Sequence, residues 1–400
     1  MTERNVSRRR FLKFSSAAGF SALLAACGAG TTSAPGGAAT TAPAAGGAAA
    51  TAAPAAAGAM SMDQLVAAAK QEGTLSTIAL PHDWLNYGEM IDGFKKKYGL
   101  QVNELDPNAG SGDEVQAIKA NKDNKGPQAP DVIDVGFAFG PSSQKEGLLQ
   151  PYKVATWDSI PADVKDPDGN WYGDYYGVLA FAVNKDAVKN IPQDWNDLLK
   201  PEYKGQVALA GDPRSSNQAI LSVYAAALAN GGSLDDAKPG LDFFAKLNEA
   251  GNLVPVIGKQ ATLVGETPIL ITWDYLALGY RDTLKDNPPV EVVVPKTGVL
   301  AGVYVQAISA FAPHPNAAKL WMEYLYSDEG QVIWLKGYGH PIRYNQLAKD
   351  NKIPADLAAK LPAADLYAKA AFPKIEQIEA AKKVITEGWD NVVKVNYPKA

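Results

Sequence analysis

Two short stretches of the chain pair a carboxylate with an indole, Asp83-Trp84 and Trp273-Asp274. That pairing suits an ammonium group. The carboxylate neutralises its charge, and the ring face attracts it by about 0.5–2 kcal/mol. Two other stretches, Gly110-Ser111-Gly112 and Ser215-Ser216-Asn217, offer backbone N–H groups and hydroxyls where helices should open. They suit an anionic or hydroxylated group. Each has an alternative, purely structural duty. Asp83 can cap a helix with Trp84 as its staple. Trp273 can pack an interior, and Ser215 or Ser216 can cap the helix that follows. Asp113 and Glu114 already complement the dipole of the helix after Gly112. Tyr304 and Gln306 share one strand face, which reaches either a cleft or a core. Tyr175 and Tyr176 precede a strand, where lining and packing are equally open readings.

Catalytic groupings are sparse. The three histidines, His82, His314 and His340, are far apart and form no H-x-x-x-H spacing. His314 and His340 adjoin prolines and read as surface residues. No G-x-S-x-G or phosphate-loop motif is present. A carboxylate pair for glycoside cleavage stays open, because acidic residues abound. Binding without catalysis is therefore expected, with no cofactor and no resident metal.

The elements that must position these residues alternate. Strands are predicted over 75–80, 100–105, 131–135, 178–183, 207–210, 269–273, 290–294 and 303–310. Helices are predicted over 63–72, 86–98, 114–120, 195–199, 215–229, 234–250, 317–326 and 376–386. Such alternation argues for parallel sheets flanked by helices. In sheets of that kind ligands bind beyond the carboxyl ends of the strands, which is where the stretches above fall, including Tyr87 after Trp84 and Tyr275 after Asp274.

The first sixty residues are of another kind. Ser7-Arg8-Arg9-Arg10-Phe11-Leu12-Lys13 precedes a weakly apolar run, 14–26, too short to span a bilayer. It resembles a twin-arginine export signal. Leu24-Ala25-Ala26-Cys27 resembles a lipobox, which implies cleavage before Cys27 and lipid on its thiol. Cys27 is the only cysteine, so an intrachain disulfide is impossible. Residues 28–59 contain only Gly, Ala, Thr, Ser and Pro. They read as a tether with a root-mean-square span of about 30 Å. Without the five basic and one acidic residues before Cys27, the 38 basic and 43 acidic residues leave a net charge of −9. After Cys27 the only basic cluster is Lys95-Lys96-Lys97, so nucleic acid is not an expected partner. About 340 further residues exceed the usual size of one core.

The middle of the chain carries a family resemblance. Trp195-Asn196-Asp197-Leu198-Leu199-Lys200-Pro201-Glu202-Tyr203-Lys204-Gly205 is similar to a segment of bacterial extracytoplasmic solute-binding proteins. These serve ATP-binding-cassette importers of the ferric-iron, polyamine, thiamine and phosphonate group. Tyr176–Asn184, Gly265-Glu266-Thr267-Pro268-Ile269, Pro313–Ala318 and Ser327–Gln331 resemble further segments in the same order. The resemblance implies a two-lobed, type II periplasmic-binding-protein fold, each lobe a mixed, mostly parallel sheet flanked by helices. It places 61–177 and about 274–330 in one lobe, and 178–273 and about 331–400 in the other. It implies a lipid-anchored, extracytoplasmic monomer that hands a small solute to a membrane permease. Pro81–Tyr87 resembles the aromatic segment of the polyamine binders, which implies that its aromatic residues line the cleft. Together with the strand-end reading above, the expected lining is Asp83, Trp84, Tyr87, Ser111, Tyr175, Ser215, Ser216, Asn217, Trp273, Asp274, Tyr275 and Tyr304. A polyamine or amino-alkyl compound is the expected solute, with a phosphonate or sugar phosphate behind it. Iron binders of the group carry adjacent tyrosines where this chain has Trp273-Asp274-Tyr275, which counts against ferric iron.

Overall fold

Local signals set the element boundaries. Ser61 caps the helix Met62–Glu72 through a reciprocal bond with Gln64, and Gly73 ends it in the left-handed conformation. Met90, Ile91 and Phe94 bury one face of the helix Tyr87–Tyr98, which stops at Gly99. The computed structural model describes residues 60–361 and 369–397. The export signal, Cys27 and the tether read from the sequence lie outside the described residues.

Among the described residues ten strands run in the order β1 (Thr74–Ile78), β2 (Gln101–Leu105), β3 (Val132–Gly136), β4 (Leu149–Gln150), β5 (Tyr172–Asn184), β6 (Val207–Leu209), β7 (Ile269–Trp273), β8 (Val290–Val293), β9 (Ala301–Ser309) and β10 (His340–Pro341). β1 and β2 pair in parallel. The other eight form one sheet with the path β3-β9-β5-β7-β6, to which β4, β8 and β10 attach. The α/β architecture matches the expectation, but the sheets are not mostly parallel. Only β1–β2 and β6–β7 are parallel, and every other pairing among the described strands is antiparallel. The cause is β5. Its 13 residues, more than twice the predicted strand, run against β9 and β10 in the first half and against β7 and β8 in the second. Nearly all of them are buried, as a strand covered on both faces requires.

The segment after β7 is the main departure from the predicted elements. It continues as the helix Asp274–Leu284, where no element is predicted. The segment 195–199 forms a tight 3-10 helix, capped by Asp194. His340, read as a surface residue, is buried on β10 opposite Tyr176 of β5, and burial pushes its pKa down to about 4.

Candidate ligand-binding cavity

A cavity of about 590 Å³ opens where the chain leaves β1, β2 and β6, beyond their carboxyl ends. One wall comes from the loops after β1 and β2, the helix Ser111–Ala120 and β3. The other comes from the turn after β6 and the start of the helix Asn217–Ala229. The walls meet at two polar contacts. The Gly112 N–H donates to the Ser215 carbonyl (3.2 Å), and Lys259 Nζ donates to Asn108 Oδ1 (2.8 Å). Gly136, which ends β3, allows a third approach. A Cβ there would fall 1.9 Å from Asn217 Cγ, so only glycine leaves room for that side chain.

The loop after β1 holds an unusual backbone. Ala79, Leu85 and Asn86 all have positive φ, a left-handed conformation that costs a non-glycine residue about 1–2 kcal/mol. Burial of Leu85 against Gly337 and Gly339 holds the loop in place and presents Asp83 and Trp84 to the cavity. Asn86, not Asp83, sits at the start of the helix that follows, so Asp83 is no cap.

Seven of the twelve expected residues line the cavity: Asp83, Trp84, Ser111, Ser215, Ser216, Asn217 and Tyr304. The other five do not. Tyr87 lies on the buried face of its helix and donates to Asp134 Oδ2 (2.7 Å). Tyr175 donates to the same oxygen (2.7 Å) and accepts from the Trp84 indole N–H (2.8 Å). Trp273 packs against Gly302 and stacks on Tyr275. The Asp274 carboxylate accepts the Val178 N–H (3.0 Å), tying the start of its helix to β5. Tyr275 is buried against Trp84 and Tyr175. These five, four aromatic residues and one carboxylate, form a packed shell behind the cavity instead of its lining. Tyr176 also lies away from the cavity lining, against His340.

Sequence reasoning missed the floor. Asp134, on β3, and Glu114, from the helix Ser111–Ala120, line the cavity and are at most 5% exposed. Glu114 Oε2 accepts the Asp134 N–H (2.9 Å), and Ser111 Oγ accepts the Gly136 N–H (3.1 Å). Burial pushes the Asp134 pKa up to about 7 against the two tyrosine hydrogen bonds, and lifts Glu114 well above the carboxylate range. The lining holds four further carboxylates, Asp83, Asp106, Asp113 and Asp212, and one cationic side chain, Lys259. Among the described residues no group of three or more His, Cys, Asp or Glu side chains is placed to hold a metal ion, and no helix is long and apolar enough to cross a membrane.

The cavity geometry sits in a known setting. Residues 128–369 match the family model of the bacterial extracellular solute-binding proteins. The spermidine/putrescine-binding periplasmic protein of Escherichia coli strain K12 is 27% identical over 282 residues, 65% of this chain and 76% of that protein. Two solved structures share the fold. The periplasmic binding protein AfuA of Actinobacillus pleuropneumoniae, with fructose-6-phosphate bound, has a TM-score of 0.62 and 23% identity, covering 81% of this chain and 99% of the other. AgtB of A. tumefaciens R10, in complex with agropinic acid, has a TM-score of 0.63 and 18% identity, covering 80% and 99%. The chain has the type II periplasmic-binding-protein fold, works outside the cytoplasm, and belongs to the bacterial extracellular solute-binding proteins, the solute-capturing components of ATP-binding-cassette importers.

Proposed function

We propose that the cavity captures a small organic cation, of the polyamine or amino-alkyl type, and releases it unchanged to a permease. One observation carries this reading: of the six carboxylates that line the cavity, Asp83, Asp106 and Asp113 are in no ion pair among the described residues, Asp212 is paired with Arg214, and Asp134 and Glu114 are buried acids, against a single lysine. Such a wall attracts cations and repels anions before contact. Trp84 and Tyr304, 5.5 Å apart and edge to face, add ring surface beside those carboxylates. The relation to a spermidine/putrescine-binding protein fits the same chemistry.

A second feature narrows the class. The helix Asn217–Ala229 opens at the cavity with no acidic residue in its first turn and no side-chain cap from Ser216. Its N–H groups suit an acidic far end, so an amino-alkyl zwitterion is the variant reading. Nothing in the lining favours ferric iron or a sugar phosphate in the same way.

The two walls are taken to be lobes that close on the solute. Strand pairing supports boundaries shifted from those read in the sequence. β8 and the helix Asp274–Leu284 pack with the second half of β5, whereas the helix Asp328–Lys336 packs with the helix Tyr87–Tyr98 and β10. One lobe then comprises 60–177 and about 300–349, and the other 178–299 and 371–397. The cross-wall contacts of Gly112 and Lys259 are those of a closed form, which ligand would favour by bridging both walls. The chain is proposed to act as a monomer held to the membrane by lipid on Cys27 after twin-arginine export. Mass spectrometry of Cys27 in native membranes tests the anchor.

A thermal-shift screen of diamines, amino-alkyl phosphonates, sugar phosphates and ferric salts, followed by calorimetry, tests the solute class. Raised melting temperature with amines, and amine recovered unaltered, is the expected result. A response confined to sugar phosphates or iron contradicts it.

A further inference from the structure

Asp134 and Glu114 line the cavity floor, Asp174 lies behind it on the other side of Asp134, all three are buried, and none is in an ion pair of the described residues. Their surroundings are polar but uncharged. Tyr87 from its helix and Tyr175 from β5 donate to Asp134 Oδ2. Gln306 on β9, directly opposite Asp134, donates to Tyr87 (2.8 Å) and to Asp174 (3.0 Å). Tyr275, Tyr304 and Tyr326 complete the set of titratable groups that sense Asp134. Asp134 Oδ2 is thus fully occupied. Its other oxygen, Oδ1, is buried without a hydrogen-bond partner, on a residue that lines the cavity.

A buried carboxylate with an unused oxygen is costly if charged. The floor has the acids and the donors for one oxygen, and lacks a cation. We propose that Asp134 Oδ1 is the seat of the ligand's ammonium group, and that capture exchanges a proton on Asp134 for that ammonium. This inference rests on the cationic reading above and names its anchoring residue. In the empty cavity the carboxyl group holds its proton near neutral pH, because burial disfavours the charged form more than the hydrogen bonds from Tyr87 and Tyr175 favour it. When the ammonium enters, the proton leaves to solvent and an ammonium N–H donates to Oδ1. Binding is then stronger at higher pH.

The sign and size follow from a group that titrates at about 7. The carboxylate fraction rises from roughly one-tenth at pH 6 to nine-tenths at pH 8, so affinity rises about tenfold. An alkyl ammonium stays charged throughout. His82, exposed and paired with Glu104 (2.7 Å), is outside the cavity lining.

The test is calorimetry of 1,4-diaminobutane on the full-length chain at pH 6, 7 and 8, in two buffers of different ionisation enthalpy, repeated with Asp134→Asn. Wild type should release close to one proton at pH 6 and about half at pH 7, with a tenfold gain in affinity by pH 8. Asp134→Asn should bind at least tenfold more weakly at pH 8, with the proton release gone. Buffer-independent heats and a flat affinity in wild type overturn the proton exchange, and no variant is needed to see it. Equal pH dependence in both proteins moves the effect to a group other than Asp134 and overturns the assignment. Absence of binding by any amine overturns both this inference and the cationic reading, whereas amine binding without proton release removes this inference alone.

Discussion

Two aspartates three residues apart are buried in opposite ways. Asp131, just before β3, is fully buried and fully used. Its carboxylate accepts the Ser76 N–H (2.6 Å), the His314 N–H (2.7 Å) and a contact from His314 Nδ1 (2.8 Å). Asp134, in the middle of β3, keeps one oxygen without a partner at the edge of a cavity. Burial raises the pKa of both, but hydrogen bonds from Ser76 and His314 pull Asp131 back, whereas Asp134 stays near 7. The contrast separates two uses of a buried acid. One pins β1, β3 and the loop before the helix Pro315–Leu325 together. The other is left incomplete where a ligand can complete it.

Substitution should split the pair in sign. Asp134→Asn keeps the shape and the two tyrosine hydrogen bonds but removes the titration. In wild type, a folded pKa of about 7 over an unfolded value of about 3.9 gives stability that is present below about pH 4 and lost as pH rises to about 7. The variant escapes that loss. It should therefore be more stable than ligand-free wild type at pH 8, by about 4 kcal/mol at most, with the gap closing towards pH 4. Urea unfolding at the two pH values measures it. A variant less stable than wild type at pH 8 would erase the distinction between the two aspartates.

Asp131→Ala should do the reverse. It strips three partners at once and should lower stability by about 3 kcal/mol, with amine affinity of the folded protein unchanged within twofold. Denaturant midpoints and calorimetry below the transition read the two effects separately. The smallest effect belongs to the rim. Asp83 is exposed, so its charge is screened, and Asp83→Asn should weaken amine binding only two- to threefold, less than about 1 kcal/mol, and less again in high salt. A loss as large as that of Asp134→Asn would move the anchor from floor to rim.

Much of the cavity was legible because strand ends could be read. Asp83-Trp84 and Ser215-Ser216-Asn217 follow β1 and β6, and both reach the lining. Trp273-Asp274-Tyr275 follows β7 in the same way, yet a helix begins at Asp274 and turns these side chains into the interior. Tyr87 carried its own warning, since it shares the apolar face of Met90, Ile91 and Phe94. Asp134 was overlooked inside the run Val132-Ile133-Asp134-Val135, read only as a buried strand. A lone carboxylate in such a run is the signal that could have found it, because burial there requires either a partner or a function. The antiparallel share of the sheet was hidden for another reason. Pairing direction depends on how the long β5 crosses its neighbours, and local periodicity does not record that.

The most direct measurement is a crystal structure of the full chain with 1,4-diaminobutane at pH 8. The account expects one nitrogen within about 3 Å of Asp134 Oδ1, beside the Trp84 ring, with Asp131 still bound to Ser76 and His314. A diamine seated elsewhere, with Asp134 Oδ1 left empty or bridged to another side chain, would contradict it.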